Sequence, residues 1–389
     1  MEVKRNYKYR LYPTKKQLIA LECQLEEARR LYNAAVQERS EAWGIKRINK
    51  VNISLASQAA QLKEIRDNGD LGLVNYSAAQ NVLRRVNQTY TNFFRKVKAG
   101  EKVGYPRYKS RLRFNSYVYP NWKKDDGCRI TKDGKLYAHG VGAMRIKLHR
   151  HIDGRIKCLT IKYYTGRWYA VFSIVKESNV LPHLDNSIGI DVGYKYFATL
   201  SDGSTVENPN FLVKSFNKVK RLQRERDRRK KGSYGRIKTI LKLQKIHGHI
   251  VNQRSNFHHS LSRDLVNKYG TIIIEDIDFS TLDDKWFAIS SQDAGWGRFF
   301  TKLAYKAEEA GRQLVKVNPK GTSLRCSCCG MYSKKSTYGK KRVYKCDYCG
   351  LMIDRDINAA FNIKELGLSF GNKTRQVTAS VLPEAVAIS

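Results

Sequence analysis

The chain has 389 residues, enough for two or three domains, and 41% of them are hydrophobic, which excludes a disordered protein. Its 73 lysines and arginines outnumber 35 aspartates and glutamates, and the formal net charge is +38. Because such self-repulsion contributes nothing to a fold, the composition indicates a polyanionic partner rather than a merely solubilising surface. Nucleic acid is the partner we expect, since segments such as RNYKYRLY alternate cations, which meet phosphates, with aromatic rings, which stack on unpaired bases.

The first hundred residues predict one strand followed by helices. Residues 3–12 alternate apolar or aromatic with basic residues, which is typical of a strand. Thr14 and Gln17 form a capping box that opens a helix, and further helices are expected over 50–68 and 77–98. Their apolar stripes predict a packed core, and only their polar faces are candidates for contact.

From residue 104 to 176 the pattern changes to strands. Two alternating runs flank Thr165 and Gly166 and predict a hairpin. Together with the strand at 3–12, they predict a β-barrel that is interrupted early by a helical insert at 14–100.

A new region opens at NSIGIDVGYKYFATLSDG, where one acid stands in a predicted strand. Asp191 lies between Ile190 and Val192, and the alternation indicates a half-buried strand. An unpaired carboxylate is costly there unless a positive group meets it. A metal ion is the obvious candidate, although a single aspartate does not make a site.

Residues 211–250 form a strongly basic segment with fourteen cations and two acids. Gly232 and Ser233 divide it into two helices, and the excess of twelve charges indicates contact with phosphates. The apolar run GTIIIEDIDF, at 270–279, then predicts a fully buried central strand with carboxylates at its end. A helix around 292–310 and a strand at LVKVN follow.

The cysteines give the most specific signal in the chain. Two C-x-x-C-G motifs, CSCCG and CDYCG, supply Cys326, Cys329, Cys346 and Cys349. Sixteen residues separate the pairs, which is the spacing of a tetrahedral Cys₄ zinc ribbon, and each glycine suits a tight turn that needs positive φ. Structural zinc is favoured over a redox or catalytic role, and Cys328 is interpreted as a spare thiol. Clustering of five cysteines in one short region also favours a cytosolic, reducing compartment over a secreted disulfide framework.

Three carboxylates have the setting of a metal-dependent nuclease. Asp191 lies in a strand, Glu275 ends a buried strand, and Asp356 lies in the first turn of a predicted helix, with Asp354 beside it. Three such carboxylates can hold two Mg²⁺ ions roughly 3.5–4 Å apart, as in a ribonuclease-H-like site. Each residue alone has a simpler interpretation: Glu275 as a surface residue at a strand end, and Asp354 as a helix N-cap.

The order of the acids argues against a DDE transposase, and a missing glycine-rich loop argues against an actin-like ATPase. The chain order Asp, Glu, Asp is that of RuvC-like nucleases, whereas DDE transposases have Asp, Asp, Glu. GIDVG also resembles the start of a phosphate loop in actin-like and sugar-kinase ATPases, but IIIEDIDFS lacks the second glycine-rich loop that such an ATPase needs.

These segments together resemble the TnpB family, the transposon-encoded relatives of type V CRISPR effectors. The resemblance covers nearly the whole chain and is carried by YRLYPTKKQ, GYPRYKSR, GIDVGYKYFATLSDG, the basic segment, IIIEDI, NPKGTSLRCSCCG, YKCDYCG and DRDINAAFNI. It implies an RNA-guided endonuclease that carries a guide RNA from the transposon end. Such an enzyme cuts target double-stranded DNA next to a short adjacent motif, by two-metal, RuvC-like phosphodiester hydrolysis.

The resemblance also assigns roles to residues. It implies that Asp191, Glu275 and Asp356 bind Mg²⁺ and are catalytic, since the third acid of the family stands two residues before the asparagine of D-x-N-A-A, here Asn358. Some relatives have lost their acids, so the alternative is a nuclease-inactive, RNA-guided DNA-binding repressor. We expect a monomer within the ribonucleoprotein, with no membrane partner, in the prokaryotic cytosol or nucleoid.

The expected fold is multidomain, α+β and α/β, with an N-terminal β-barrel that carries a helical insertion and a C-terminal RNase H-like (RuvC) domain that carries an inserted zinc ribbon. In the N-terminal half we expect a wedge-like β-barrel at 1–13 and 101–183, with a helical recognition insert at 14–100. In the C-terminal half we expect a RuvC-like nuclease domain at 184–320 and 353–372, which includes a basic helical hairpin at 208–268. A zinc-ribbon nucleic-acid-binding module at 321–352 and a loose C-terminal tail at 373–389 complete the expected domains.

Overall fold

The computed structural model of the protein divides the chain into two compact units, Met1–Glu177 and Ser178–Ser389. It describes residues 2–49, 53–122, 127–277, 293–332 and 342–369, without the side chains of 43–49. None of the helices in these ranges is long and apolar enough to cross a membrane. The tail expected at 373–389 lies outside the described residues.

The first unit is built on a seven-stranded sheet that curls into an almost closed barrel, in the order β2-β6-β7-β1-β5-β4-β3. Its described elements are β1 Glu2–Tyr12, α1 Lys15–Asn49, α2 Leu55–Asp67, α3 Tyr76–Lys98, β2 Ser116–Tyr119, β3 Cys128–Ile130, β4 Leu136–Ala138, β5 Gly142–Lys147, β6 Arg155–Tyr164 and β7 Arg167–Glu177. One core joins Tyr9 and Leu11 of β1 to Leu21 of α1, Val82 of α3 and Phe172 of β7.

Local chemistry explains how these elements begin and turn. The Thr14 N–H donates to Gln17 Oε1 at 3.0 Å and the Gln17 N–H donates to Thr14 Oγ1 at 3.3 Å, which confirms the capping box before α1. Thr165 and Gly166 have φ angles of 50° and 77°, the left-handed values that a two-residue hairpin turn between β6 and β7 requires.

The second unit contains a five-stranded sheet in the order β10-β9-β8-β11-β12, in which β11 runs parallel to β8 and to β12. Its described elements are β8 Ser187–Asp191, β9 Tyr196–Leu200, β10 Thr205–Glu207, α4 Phe211–Arg228, α5 Tyr234–Lys268, β11 Thr271–Glu275, α6 Trp296–Ala310, β12 Gln313–Val317, β13 Val343–Lys345, β14 Met352–Asp354 and α7 Arg355–Ser369. Strands β13 and β14 pair as a separate antiparallel hairpin.

Helices cover both faces of this sheet. Ile272 and Ile274 of β11 pack in one cluster with Phe299 of α6, whereas Ile273 points the other way and packs with Ile363 of α7. The three isoleucines are fully buried, which explains the continuous apolar run.

Strand β8 differs from its prediction. It ends at Asp191, so Val192 is not part of it, and Ile188, Gly189 and Ile190 are all buried rather than alternately exposed. The half-buried interpretation is wrong because α7 lies directly over the strand: a Cβ at Gly189 would overlap the Ala360 carbonyl oxygen of that helix.

Candidate functional site

The sheet of the second unit brings two of the predicted acids to one edge. Ile190 of β8 is paired with Ile274 of β11 in a parallel ladder. The next residue of each strand, Asp191 and Glu275, therefore emerges at the same carboxyl edge of the sheet. Helix α7 packs against β8 and carries Asp356 in its first turn.

Asp191 lies within the electrostatic influence of the other two acids. Burial raises the pKa of Asp191 well above its ordinary value, and the charges of Glu275 and Asp356 raise this pKa further. Burial also raises the pKa of Glu275. Asp356 is 7% exposed, whereas the other two side chains retain intermediate exposure. A cluster of like charges in such surroundings favours the binding of protons or cations.

Asp356, the third acid, forms ion pairs with two arginines that were not predicted from the sequence. Arg342 Nη1 donates to Asp356 Oδ2, and Arg355 Nη2 lies 3.3 Å from Asp356 Oδ1. Both cations also act against the raised pKa of Asp191. Arg355 could have been expected from the sequence, because it is next to Asp356 in the DRD motif. Arg342 could not, because it is distant in sequence and reaches Asp356 from the start of the hairpin that precedes α7.

Asp354 has a structural task beside this cluster. Its Oδ1 accepts hydrogen bonds from the backbone N–H of Asp356 at 2.8 Å and of Ile357 at 3.4 Å, so it acts as the N-cap of α7. The carboxylate that is engaged by the helix start is thus Asp354, and the one that faces Asp191 is Asp356.

The four cysteines form a compact cluster. Their sulfurs lie within 4.8 Å of one another, with 3.6 Å between Cys326 Sγ and Cys349 Sγ and between Cys329 Sγ and Cys346 Sγ. A tetrahedral zinc ion with bonds of about 2.3 Å separates its sulfurs by about 3.8 Å, so the spacing fits zinc and is far from the ~2.05 Å of a disulfide. Cys328 is exposed and outside the cluster.

The backbone of the two knuckles supports the same interpretation. Gly330 and Gly350 have φ angles of 75° and 73°, as the tight turns require. Backbone N–H groups of Cys349 and Tyr348 lower the pKa of the Cys346 thiol to about 6, whereas burial and the neighbouring thiols raise the pKa of Cys329 to about 12, so the cluster as a whole shares its protons. The donor set therefore fits structural Zn²⁺.

No second group of three potential ligands is as compact in the part of the chain that the structure describes. The three carboxylates thus stand farther apart than the thiols, and they offer only oxygen atoms. Oxygen donors around a partly exposed edge fit a hard divalent cation such as Mg²⁺, which keeps several of its waters.

The outer face of the first unit carries a row of cations and rings. Strand pairing places Lys162, Tyr169, Arg10 and Lys147 side by side across β6, β7, β1 and β5. Lys8 Nζ lies 4.2 Å from the centre of the Tyr169 ring. Burial lowers the pKa of Lys8, and repulsion by Lys162 lowers it further, so an anion would be favoured on this face.

The second unit has a basic surface of its own along α4. One groove is lined by Asn217, Lys220, Arg221, Arg224, Glu225, Arg228 and Arg229. Five cations and one acid on one side of a helix are the electrostatic footprint of a phosphate backbone.

Three family models match this chain. Residues 174–285 match the OrfB/IS605 family described as "Probable transposase", residues 296–363 match the "Cas12f1-like, TNB domain", and residues 1–46 match the OrfB/IS605 "Helix-turn-helix domain". The last range comprises β1 and most of α1 in the structure.

Curated relatives cover most of the chain. A Streptomyces pristinaespiralis protein named "Putative RNA-guided DNA endonuclease" is 30% identical over 378 residues, which are 95% of this chain and 90% of that protein. The Escherichia coli protein InsQ, with the same descriptive name, is 29% identical over 305 residues, 74% of this chain and 73% of its own length. "CRISPR-associated endodeoxyribonuclease Cas12f1" of Sulfoacidibacillus thermotolerans is 29% identical over 216 residues, 51% of this chain and 50% of its own. Among solved structures, a Cas12f1–sgRNA–target DNA complex aligns with a TM-score of 0.37 at 17% identity, over 93% of this chain and 99% of that one.

Proposed function

The chain belongs to the TnpB family, and from this premise we propose that it is a transposon's RNA-guided DNA endonuclease that cuts double-stranded DNA next to a short adjacent motif. The names of its relatives support an endonuclease guided by RNA. The finer proposal is that one RuvC-like site, formed by Asp191, Glu275 and Asp356, performs the hydrolysis.

The convergence of these three carboxylates is the observation that carries the proposal. Two of them emerge from neighbouring parallel strands, and the third comes from the helix that crosses those strands. The five-stranded sheet with helices on both faces supports an RNase H-like core for this unit. Asp191, Glu275 and Asp356 are 84 and 81 residues apart in sequence, yet the charges of the other two act on Asp191, which argues against a chance surface cluster.

The residues of the site have separable tasks in the proposed mechanism. Two Mg²⁺ ions held by these carboxylates would supply an activated water and stabilise the leaving oxygen. Asp191 is held by its antiparallel pairing with Thr199 and Glu275 by its parallel pairing with Val317, and the partial burial of both strengthens every electrostatic interaction around them. Arg342 and Arg355 orient Asp356 and neutralise part of its charge.

The nucleic acids are assigned to surfaces of complementary charge. We assign guide RNA to the first unit, where the row from Lys162 to Lys147 offers cations and a stacking ring on one face. The basic groove of α4 supports contact with the guide–target duplex or its flanking strands. The domain boundaries, the structural zinc, the monomeric ribonucleoprotein and the prokaryotic cytosol given above belong to the same proposal.

The test is cleavage of a guide-matched plasmid by the purified ribonucleoprotein, after the RNA that co-purifies with it has been sequenced. Asp191→Ala should abolish cutting in Mg²⁺ while RNA and DNA binding stay near wild type, because the substitution removes charge at the cation site and no basic surface. Asp185→Ala, in the same unit but at a side chain that is 96% exposed, should cut like wild type.

Two results would overturn the assignment. Cutting by Asp191→Ala would remove the site, whereas guide-dependent binding without any nick by the wild-type complex, in Mg²⁺ or Mn²⁺, would identify a repressor. The presence of all three acids argues against the repressor.

A further inference from the structure

We propose that Thr322 is a positioning residue, which links the zinc module to the metal-binding carboxylate Glu275. The inference rests on the proposed function, because it takes Glu275 to be a ligand of the catalytic cations. It gives the zinc site a second task, which is to hold one catalytic carboxylate in place.

The contact between the two residues is short and buried. Thr322 is 2% exposed, and its Oγ1 donates to Glu275 Oε1 at 2.7 Å. The Pro319 carbonyl oxygen lies 3.1 Å from the same hydroxyl, which has only one hydrogen to donate. The charged acceptor makes the stronger bond, so the hydroxyl fixes Oε1 of Glu275 and does not engage Oε2, the oxygen that we assign to a cation.

Helix α7 holds the Thr322 loop from the other side. Asn362 Nδ2 donates to the Thr322 carbonyl oxygen at 2.9 Å and to the Arg325 carbonyl oxygen at 2.7 Å. Asn358 Nδ2 also donates to Arg325 O, at 2.8 Å, and its Oδ1 accepts from the Ser327 N–H at 2.9 Å. Asn358 is 0% exposed and Asn362 is 2% exposed, and the two lie one helical turn apart on α7. The helix that carries Asp356 therefore also holds the segment 322–327 in place.

The clamped segment runs directly into the first zinc knuckle. Cys326 follows Arg325, and its backbone is held within the knuckle by bonds from its N–H to Met331 O at 2.9 Å and from the Gly330 N–H to its own carbonyl at 3.0 Å. Three residues separate the zinc-binding Cys326 from Thr322. A bound zinc that fixes the knuckle therefore restricts the Thr322 hydroxyl, and through it the placement of Glu275.

The decisive variant is Thr322→Val, which keeps the shape of the side chain and removes the hydroxyl. In the full ribonucleoprotein, we expect the Mg²⁺ concentration for half-maximal cleavage to rise roughly 10- to 100-fold, the range typical of a lost supporting hydrogen bond at a metal ligand. The maximal rate should recover at high Mg²⁺, and Thr322→Ser should restore the wild-type Mg²⁺ dependence, since serine retains the donor.

The chain offers a matched control at Thr239. This threonine is 1% exposed, and its Oγ1 lies 3.0 Å from Glu225 Oε1 and 3.1 Å from a backbone carbonyl oxygen, so its single hydrogen has the same two kinds of acceptor as that of Thr322. Thr239 is remote in sequence from the acids of the site. Thr239→Val should leave the Mg²⁺ requirement at the wild-type value.

A second readout does not depend on DNA cleavage. Fe²⁺ with ascorbate and hydrogen peroxide cuts a polypeptide next to the site where the ion is bound, and mass spectrometry locates the cuts. Wild type and Thr322→Ser should be cut near residues 191, 275 and 356 at a low Fe²⁺ concentration, whereas Thr322→Val should need roughly 10- to 100-fold more Fe²⁺. Removal of zinc from the wild-type complex should weaken the same cuts.

The outcomes separate this inference from the proposed function. Wild-type Mg²⁺ dependence and wild-type Fe²⁺ cutting in Thr322→Val would overturn the positioning role, as would failure of Thr322→Ser to restore them. DNA cutting by Asp191→Ala would instead overturn the catalytic site itself. If Thr322→Val does not fold, as shown by lost RNA binding, the zinc-removal experiment on the wild-type complex decides the inference by the same cuts.

Discussion

The cysteine cluster and the carboxylate edge are the two metal sites that we propose, and they are built on opposite principles. The four thiols come from two short loops of the same design, close in sequence, and their sulfurs are already within 4.8 Å of one another. The three carboxylates come from two strands and a helix, stand farther apart, and are occupied in part by Arg342, Arg355 and Thr322. Structural metal sites are closed by their ligands, whereas a catalytic site keeps room for substrate and water.

The largest effect should come from removing one thiolate of the four-cysteine cluster. Cys349→Ser removes one thiolate from a set of four and should reduce bound zinc from about one ion per chain to almost none, with loss of plasmid cutting, because zinc binding and folding of such modules are coupled. Metal content measured by mass spectrometry tests it. Cys328→Ser, at an exposed thiol two residues from Cys326, should keep the zinc, and equal zinc loss in both variants would contradict the assignment of the ligands.

Neutralising one of the three carboxylates should lower the activity of the protein without lowering its stability. Glu275→Gln should lower cutting by more than about 100-fold, because it removes a proposed ligand rather than a supporting residue. Without divalent cations, its melting temperature should be at or above that of wild type, since the variant relieves repulsion with Asp191. Asp354→Asn is the control: asparagine caps helices as well as aspartate, so activity and stability should both persist. A Glu275→Gln complex that cuts normally would contradict the comparison.

The smallest effect should come from the packing that brings Asp356 to the edge. A Cβ at Gly189 would overlap Ala360 O and lie 2.7 Å from the Lys364 nitrogen, so Gly189→Ala should push α7 away and cost about 1–3 kcal/mol of stability. Gly193→Ala, whose Cβ would lie 3.6 Å from its nearest neighbour, Tyr196 O, should melt like wild type. Thermal unfolding followed by circular dichroism compares the two, and equal melting temperatures would show that α7 does not need the close approach.

The same contrast explains what could be predicted from the sequence. The cysteine spacing and the hairpin at Thr165 and Gly166 are local patterns, so short-range rules sufficed. The three acids were predicted from two strand positions, a helix start and the resemblance to the TnpB family, and their role as a site stays a prediction. The partners of those acids were missed, since Arg342 and Thr322 reach them only through the fold and carry no pattern of their own. Strand β8 was misjudged for a related reason: nothing near Gly189 in sequence announces that α7 crosses it.

The length of helix α5 limits how far the tip of the basic segment can lie from the five-stranded sheet. The helix has 35 residues and is therefore about 52 Å long. Its first turn follows Ser233 at the tip of the basic segment, and its last turn leads through Tyr269 and Gly270 into β11, which ends at Glu275. The first half of α5 packs with α4 through Leu243 and Ile250, and its last turns pack on the five-stranded sheet through Leu265 and Val266. Each helical turn deleted between these two parts would bring the tip of the basic segment about 5.4 Å closer to the sheet.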